Sequence, residues 1–224
     1  MCFSAAGSFG VAAILVGIGA VSLKQDKAPL HRMLAVVPLL FAGQQIAEGF
    51  VWKTIDNPGQ HTAHALAVVV FLCFALLVWP TWVPLALLRA ETNPARRNIL
   101  RLLAWVGVCV ATYAGYLLIH SRPTAHVVGH SIVYSYVELG PPRVVALYLP
   151  LYVVPAVLPF FVSTLSTAKV MGSALAVALV ATLIIERAAL TSVWCFFAAI
   201  LSGIIVLGIA AEHRLKTKVA ANIP

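Results

Sequence analysis

Seven apolar stretches, each of a length that crosses a bilayer, fill this chain and leave no room for a soluble core. A spanning helix needs about 20 predominantly apolar residues at a rise of about 1.5 Å each. On that criterion the spans run from Ser4 to Leu23, Met33 to Trp52, Thr62 to Leu88 and Ile99 to His120, then Val144 to Ser163, Val170 to Glu186 and Ser192 to Ala211. Helices this apolar on every side bury themselves in lipid or in one another. The expected fold class is therefore an all-α polytopic membrane protein, one seven-helix domain over residues 1–224. There is no separate soluble domain, internal repeat or low-complexity segment.

Orientation follows from the basic residues. With the N-terminus outside, the inner connections and the tail hold Lys24, Lys27, Arg32, Arg89, Arg96, Arg97, Arg101, Lys169, Arg214, Lys216 and Lys218. Only Lys53, Arg122, Arg143 and Arg187 are left outside. That asymmetry obeys the positive-inside bias and predicts a cytoplasmic basic tail at 212–224. The net charge of +8 is thus mostly a topology signal, and nucleic acid is not an expected partner. The first span has its positive residues after it, the reverse of a cleaved secretory signal, so it is expected to stay as a membrane helix.

Breakers mark the third and fifth spans. Pro80 and Pro84 lie in Trp79-Pro80-Thr81-Trp82-Val83-Pro84, and Pro150, Pro155 and Pro159 punctuate the fifth. Each removes a helical donor, so neighbours must meet the freed carbonyls. Gly107, Ala111 and Gly115 share one face of the fourth span and predict close helix packing there.

Ionisable groups inside lipid are expensive, so their positions carry the functional information. Glu48 lies about one turn below the outer end of the second span, with Gln44 and Gln45 one turn deeper. Five of the seven histidines, His61, His64, His120, His126 and His130, fall on the outer side. Cys2 opens the first span, Glu186 closes the sixth, and Cys195 lies one turn into the seventh. Two thiols on one side are compatible with a disulfide in an oxidising compartment, or with thiolate ligands that suit zinc or copper. On the metal reading the ligands are Cys2, Glu48, His130 and Cys195. Gln44, Gln45, His64, His120, Tyr134 and Glu186 are then expected to line the cavity. Cys73 and Cys109 sit mid-helix and read as small apolar residues. The outer loop, 121–143, is too apolar to hang free. If extended, it puts His130, Ile132, Tyr134, Tyr136 and Glu138 on one side. It is expected to fold back as a lid that lowers His130 toward Glu48.

The opening Met1-Cys2-Phe3-Ser4-Ala5 and the late Ser192-Val193-Trp194-Cys195-Phe196-Phe197-Ala198-Ala199 resemble the signatures of a family of uncharacterised bacterial multi-pass membrane proteins. The likeness continues at Pro38-Leu39-Leu40-Phe41, Gln44-Gln45, Glu48-Gly49, Trp79-Pro80 and Gly129-His130. It implies several membrane helices in a bacterial inner membrane and no particular activity. Seven-helix zinc hydrolases of the alkaline ceramidase and progestin-receptor type are similar in size, but they need a buried Asp, and Asp26 and Asp56 here are loop residues. A retinal protein would need a Lys within the seventh span, and there is none.

Three functions suit these residues. One is a metal site acting on a lipid or amphiphile, with Glu48 as the catalytic proton-transfer group or a ligand. Another is a binding protein or transporter for a small solute or ion. The last is a structural subunit of a membrane complex, stapled between Cys2 and Cys195.

Overall fold

The computed structural model describes residues 4–25, 32–135 and 142–203. The first span is α1 (Ala5–Gln25). The second comes in two pieces, a short α2 (Arg32–Ala35) and α3 (Val37–Thr54), and Pro38 in the first turn of α3 needs no helical donor there. The third is a continuous rod over Pro58–Ala90, built from α4 (His61–Cys73), a wide π turn (Phe74–Val78) and α5 (Trp79–Ala90). Then come α6 (Pro94–His120), strands β1 (Thr124–Val128) and β2 (Ser131–Ser135), α7 (Pro142–Val162) and α8 (Ser166–Ile185). A final apolar helix, α9 (Arg187–Gly203), opens with a 3-10 turn at Arg187–Ala189.

Five of these rods are long and apolar enough to cross a membrane, and α7 and α9 provide shorter apolar helices over Leu147–Val162 and Arg187–Gly203. Of the seven expected spans, five are thus of crossing length among the described residues, and the fifth and seventh appear as shorter apolar helices. One end of the bundle carries Arg32, Arg89, Arg96, Arg97, Arg101 and Lys169 and is called here the basic end. The opposite, histidine end carries His61, His64, His120 and the β hairpin.

The proline breaks are met as membrane burial demands. Pro80 cannot donate, and the π turn before it leaves carbonyls to satisfy. Tyr152 on α7 donates its phenol to the Ala75 carbonyl at 2.5 Å. Thr81 turns its hydroxyl back to the Leu77 and Val78 carbonyls at 2.8 and 2.9 Å. At the start of α6, Asn93 caps the Arg96 amide at 3.2 Å while Pro94 occupies the first turn.

Close approach between helices occurs where glycines allow it. A Cβ on Gly107 would overlap the Pro80 carbonyl oxygen, so α6 lies directly on α5. Gly115, on the same face, would meet only Leu77 Cδ2 at 3.7 Å, an ordinary contact. The small-residue repeat is therefore needed at one position more than at the other.

The outer loop is extended, as its composition predicts. β1 and β2 pair antiparallel with Ala125 opposite Tyr134 and Val127 opposite Ile132. Gly129 turns the hairpin with φ +61°, the conformation a two-residue turn with Gly first requires. Ile132 and Tyr134 are buried, and the Tyr134 ring stacks on Phe71 at 4.4 Å and 9°. Pairing within the hairpin satisfies strand polar groups that lipid would leave stranded.

Candidate functional site

One face of α3 carries Gln44, Gln45 and Glu48, and all three are fully buried against the rest of the bundle. Ser192, also fully buried near the start of α9, donates to Glu48 Oε1 at 2.5 Å. Gln45 Nε2 donates to Glu48 Oε2 at 3.2 Å. Trp79 Nε1 donates to Gln44 Oε1 at 2.7 Å. The indole is a donor only, so it fixes which end of the Gln44 amide faces it. The Gln44 Nε2 and Gln45 Oε1 atoms have no hydrogen-bond partner of ordinary geometry. Cys195, one turn past Ser192, places its thiol beside both Gln44 and Glu48, and sulfur is only a weak acceptor. The expected convergence of Glu48 and Cys195 is present, carried by α3 and α9.

His130, a third member of the expected metal set, is not brought to this pair. His130 stands exposed in the hairpin turn while Glu48 and Cys195 are buried, so the lid lowers Ile132 and Tyr134 instead. The physical reason is the turn itself, since a residue at a hairpin tip points away from the face its strands bury. Among the described residues no group of three or more His, Cys, Asp and Glu could hold a metal ion, and Cys195 is a free thiol. Cys2 lies outside the described residues.

The other expected lining residues scatter. His64 is half-buried at the histidine end, its Nδ1 3.0 Å from Thr54 Oγ1, with the Ala125 main chain of β1 against the same ring. His120 is exposed, and its Nδ1 lies 2.7 Å from the Tyr116 carbonyl of its own helix. Tyr134 packs in the hairpin, and half-exposed Glu186 ends α8. Only Gln44 and Gln45 of that set join Glu48.

Below this cluster lies a cavity of about 100 Å³ with almost wholly apolar walls. Cys195, Trp79 and Trp194 wall its inner part, so it shares Cys195 and Trp79 with the Glu48 cluster. Phe41 stacks on Trp79 at 3.8 Å and holds that wall. Leu34, Val37, Leu165 and Thr167, at the basic end, wall the other part. Trp194 Nε1 donates to the Leu175 carbonyl at 3.2 Å, which ties α9 to α8 across the cavity.

A second buried carboxylate secures the basic end. Glu91, immediately after α5, is fully buried. Its Oε1 accepts from the Thr92 and Asn93 amides at 3.0 and 2.9 Å and from Thr164 Oγ1 at 3.1 Å. Its Oε2 accepts from the Thr164 amide at 2.7 Å. Burial opposes ionisation of this group, but the combined donors outweigh it and hold the carboxyl below the ordinary carboxylate range. Arg97 Nη1 donates to the Leu88 and Glu91 carbonyls at 3.0 and 2.7 Å, and Arg96 Nη1 to the Val162 carbonyl at 2.9 Å. The clasp joins the α5–α6 connection to the α7–α8 connection beside the cavity wall.

The family of unknown function DUF6629 matches residues 1–221, nearly the whole chain. The chain belongs to this family. No curated protein and no solved structure matches it. Membership of DUF6629 fits the expectation of an uncharacterised family.

Sequence reasoning missed two members of the site architecture. Ser192 reads as a plain helix start, although its spacing of three before Cys195 puts both on one helical face. Glu91 reads as a loop acid, although the Asn93-Pro94 cap that follows marks a tight connection with amides to spare.

Proposed function

We propose that this member of DUF6629 is an intramembrane binding protein for a lipid or amphiphile, with the hydrocarbon part held in the cavity between α3, α5, α7, α8 and α9. One observation carries this reading: the cavity has almost wholly apolar walls and shares Cys195 and Trp79 with the buried Glu48 and Gln44 group. An apolar pocket beside a few convergent polar groups is the usual form of a small-molecule site. The bias of basic residues supports placing the basic end in the cytoplasm of a bacterial inner membrane. Transport of an ion or polar solute is disfavoured by the same walls, because among the described residues no polar path continues from Glu48 to the basic end.

Native mass spectrometry of the full chain, released gently from detergent, tests the reading. Wild type is expected to retain a bound amphiphile, and Ala198→Phe, which fills the cavity, is expected to release it. Equal retention by both proteins would overturn the assignment to this cavity.

A further inference from the structure

Most polar side chains on the cavity wall are already engaged inside the protein. Trp79 donates to Gln44 at 2.7 Å, and Tyr152 donates to the Ala75 carbonyl at 2.5 Å. Trp194 donates to the Leu175 carbonyl at 3.2 Å and Ser202 to the Ala199 carbonyl at 2.7 Å. Thr167 stands half-exposed at the basic end. Cys195 remains, a buried and free thiol on the wall. Its polar neighbours are Gln44 and Glu48, and each Glu48 oxygen already has a donor, Ser192 on one and Gln45 on the other.

A second, independent observation lies behind the thiol. Trp79 holds the Gln44 amide with Oε1 toward the indole, so Nε2 is the atom set against the Cys195 sulfur. Gln44 is fully buried, and its Nε2 has no hydrogen-bond partner of ordinary geometry. A buried amide nitrogen in this position is uncommon, and a bound group that completes the hydrogen-bond chain accounts for it.

We infer that Cys195, backed by Gln44, is the donor site for the ligand's polar group, and that this group is an uncharged hydrogen-bond acceptor such as a ketone or ester carbonyl. The inference rests on the amphiphile reading above and adds the chemistry of the polar group. A carbonyl oxygen accepts from the thiol S–H, a weak donor, whose sulfur in turn accepts from Gln44 Nε2. Linked hydrogen bonds of this kind reinforce one another in a low-dielectric interior. An anion would stand near the Glu48 carboxyl with no Lys, Arg or His among the described wall residues to offset it. Burying an unpaired charge is far more costly than burying a carbonyl that finds a donor.

Trp79 and Trp194 line the cavity, so tryptophan fluorescence of the full chain in neutral detergent reports its occupancy. Three short probes of equal length suit a cavity of about 100 Å³: a methyl ketone, the alkene with CH2 in place of the carbonyl oxygen, and the primary amine. The ketone is expected to saturate the signal at a concentration about fivefold lower than the alkene, the effect of one neutral hydrogen bond. Cys195→Ala is expected to remove that difference, while Cys195→Ser, which keeps a donor, retains it. Comparing proteins cancels the unequal partition of the probes into detergent. In wild type the infrared S–H stretching band is expected to shift to lower frequency with the ketone and to stay in place with the alkene, a readout that needs no variant to fold. Equal binding of ketone and alkene, a preference that Cys195→Ala keeps, or tightest binding of the amine overturns the donor site and leaves the amphiphile reading standing. Absence of a saturable signal with all three probes overturns both.

Discussion

Ser192 Oγ donates to Glu48 Oε1 at 2.5 Å, joining two residues 144 positions apart and fastening α9 to α3. With Gln45 on the other oxygen, the carboxyl has a donor at each of its acceptors.

Removing that carboxyl leaves two buried donors unmet. Glu48→Ala is expected to lower stability by about 3 kcal/mol or more, from stranded donors plus a void. Glu48→Gln keeps the shape but turns an amide donor toward one of the existing donors, a loss of about 1–3 kcal/mol. Ser192→Ala should cost less than either. Thermal unfolding in detergent reads the order, and a double-mutant cycle reads the Glu48–Ser192 coupling. A cycle that sums to zero would dismiss the fastening role.

Glu91 makes the clasp pH-dependent. Its folded pKa lies below that of the unfolded chain, about 4.3 for a free glutamate. Its stabilisation is therefore complete above that value and is lost as the pH falls through the lower, folded value. Unfolding profiles across the acid range should show a decline in wild type that Glu91→Gln lacks. Parallel profiles would mean that the clasp does not depend on the carboxylate charge.

Gly107 and Gly115 separate packing from mere composition. Gly107→Ala must push α6 off the Pro80 carbonyl, at a cost of about 1–3 kcal/mol. Gly115→Ala meets only a side-chain methyl at 3.7 Å and is expected to be neutral or mildly stabilising, because alanine suits a helix better. Equal effects at the two sites would contradict the contact geometry.

The direction of the bundle in the membrane is accessible to reporter fusions. A fusion at Asn57, next to the histidine end, is expected to report the extracytoplasmic compartment, and one at Lys216 the cytoplasm. Identical reports from both would refute the orientation taken from the basic residues.

Much of the architecture was legible in the residues. Burial in lipid demands long apolar helices, so the rods could be placed from run length, and Pro80 and Gly107 announced a break and a close contact. Glu48 and the Gln44–Gln45 stripe declared an inward face, because lipid does not tolerate them, and Cys195 was expected beside them. Partner choice was decided only by tertiary structure. Ser192, rather than His130, meets Glu48, since the hairpin buries Ile132 and Tyr134 and leaves His130 exposed at its turn. The cavity likewise has no sequence signature, being the space left when Trp79, Trp194 and Phe41 from separate helices lock in place. Periodicity and length act within a segment and can be read from it, whereas a pocket or a hydrogen bond across 144 positions exists only once the helices have packed.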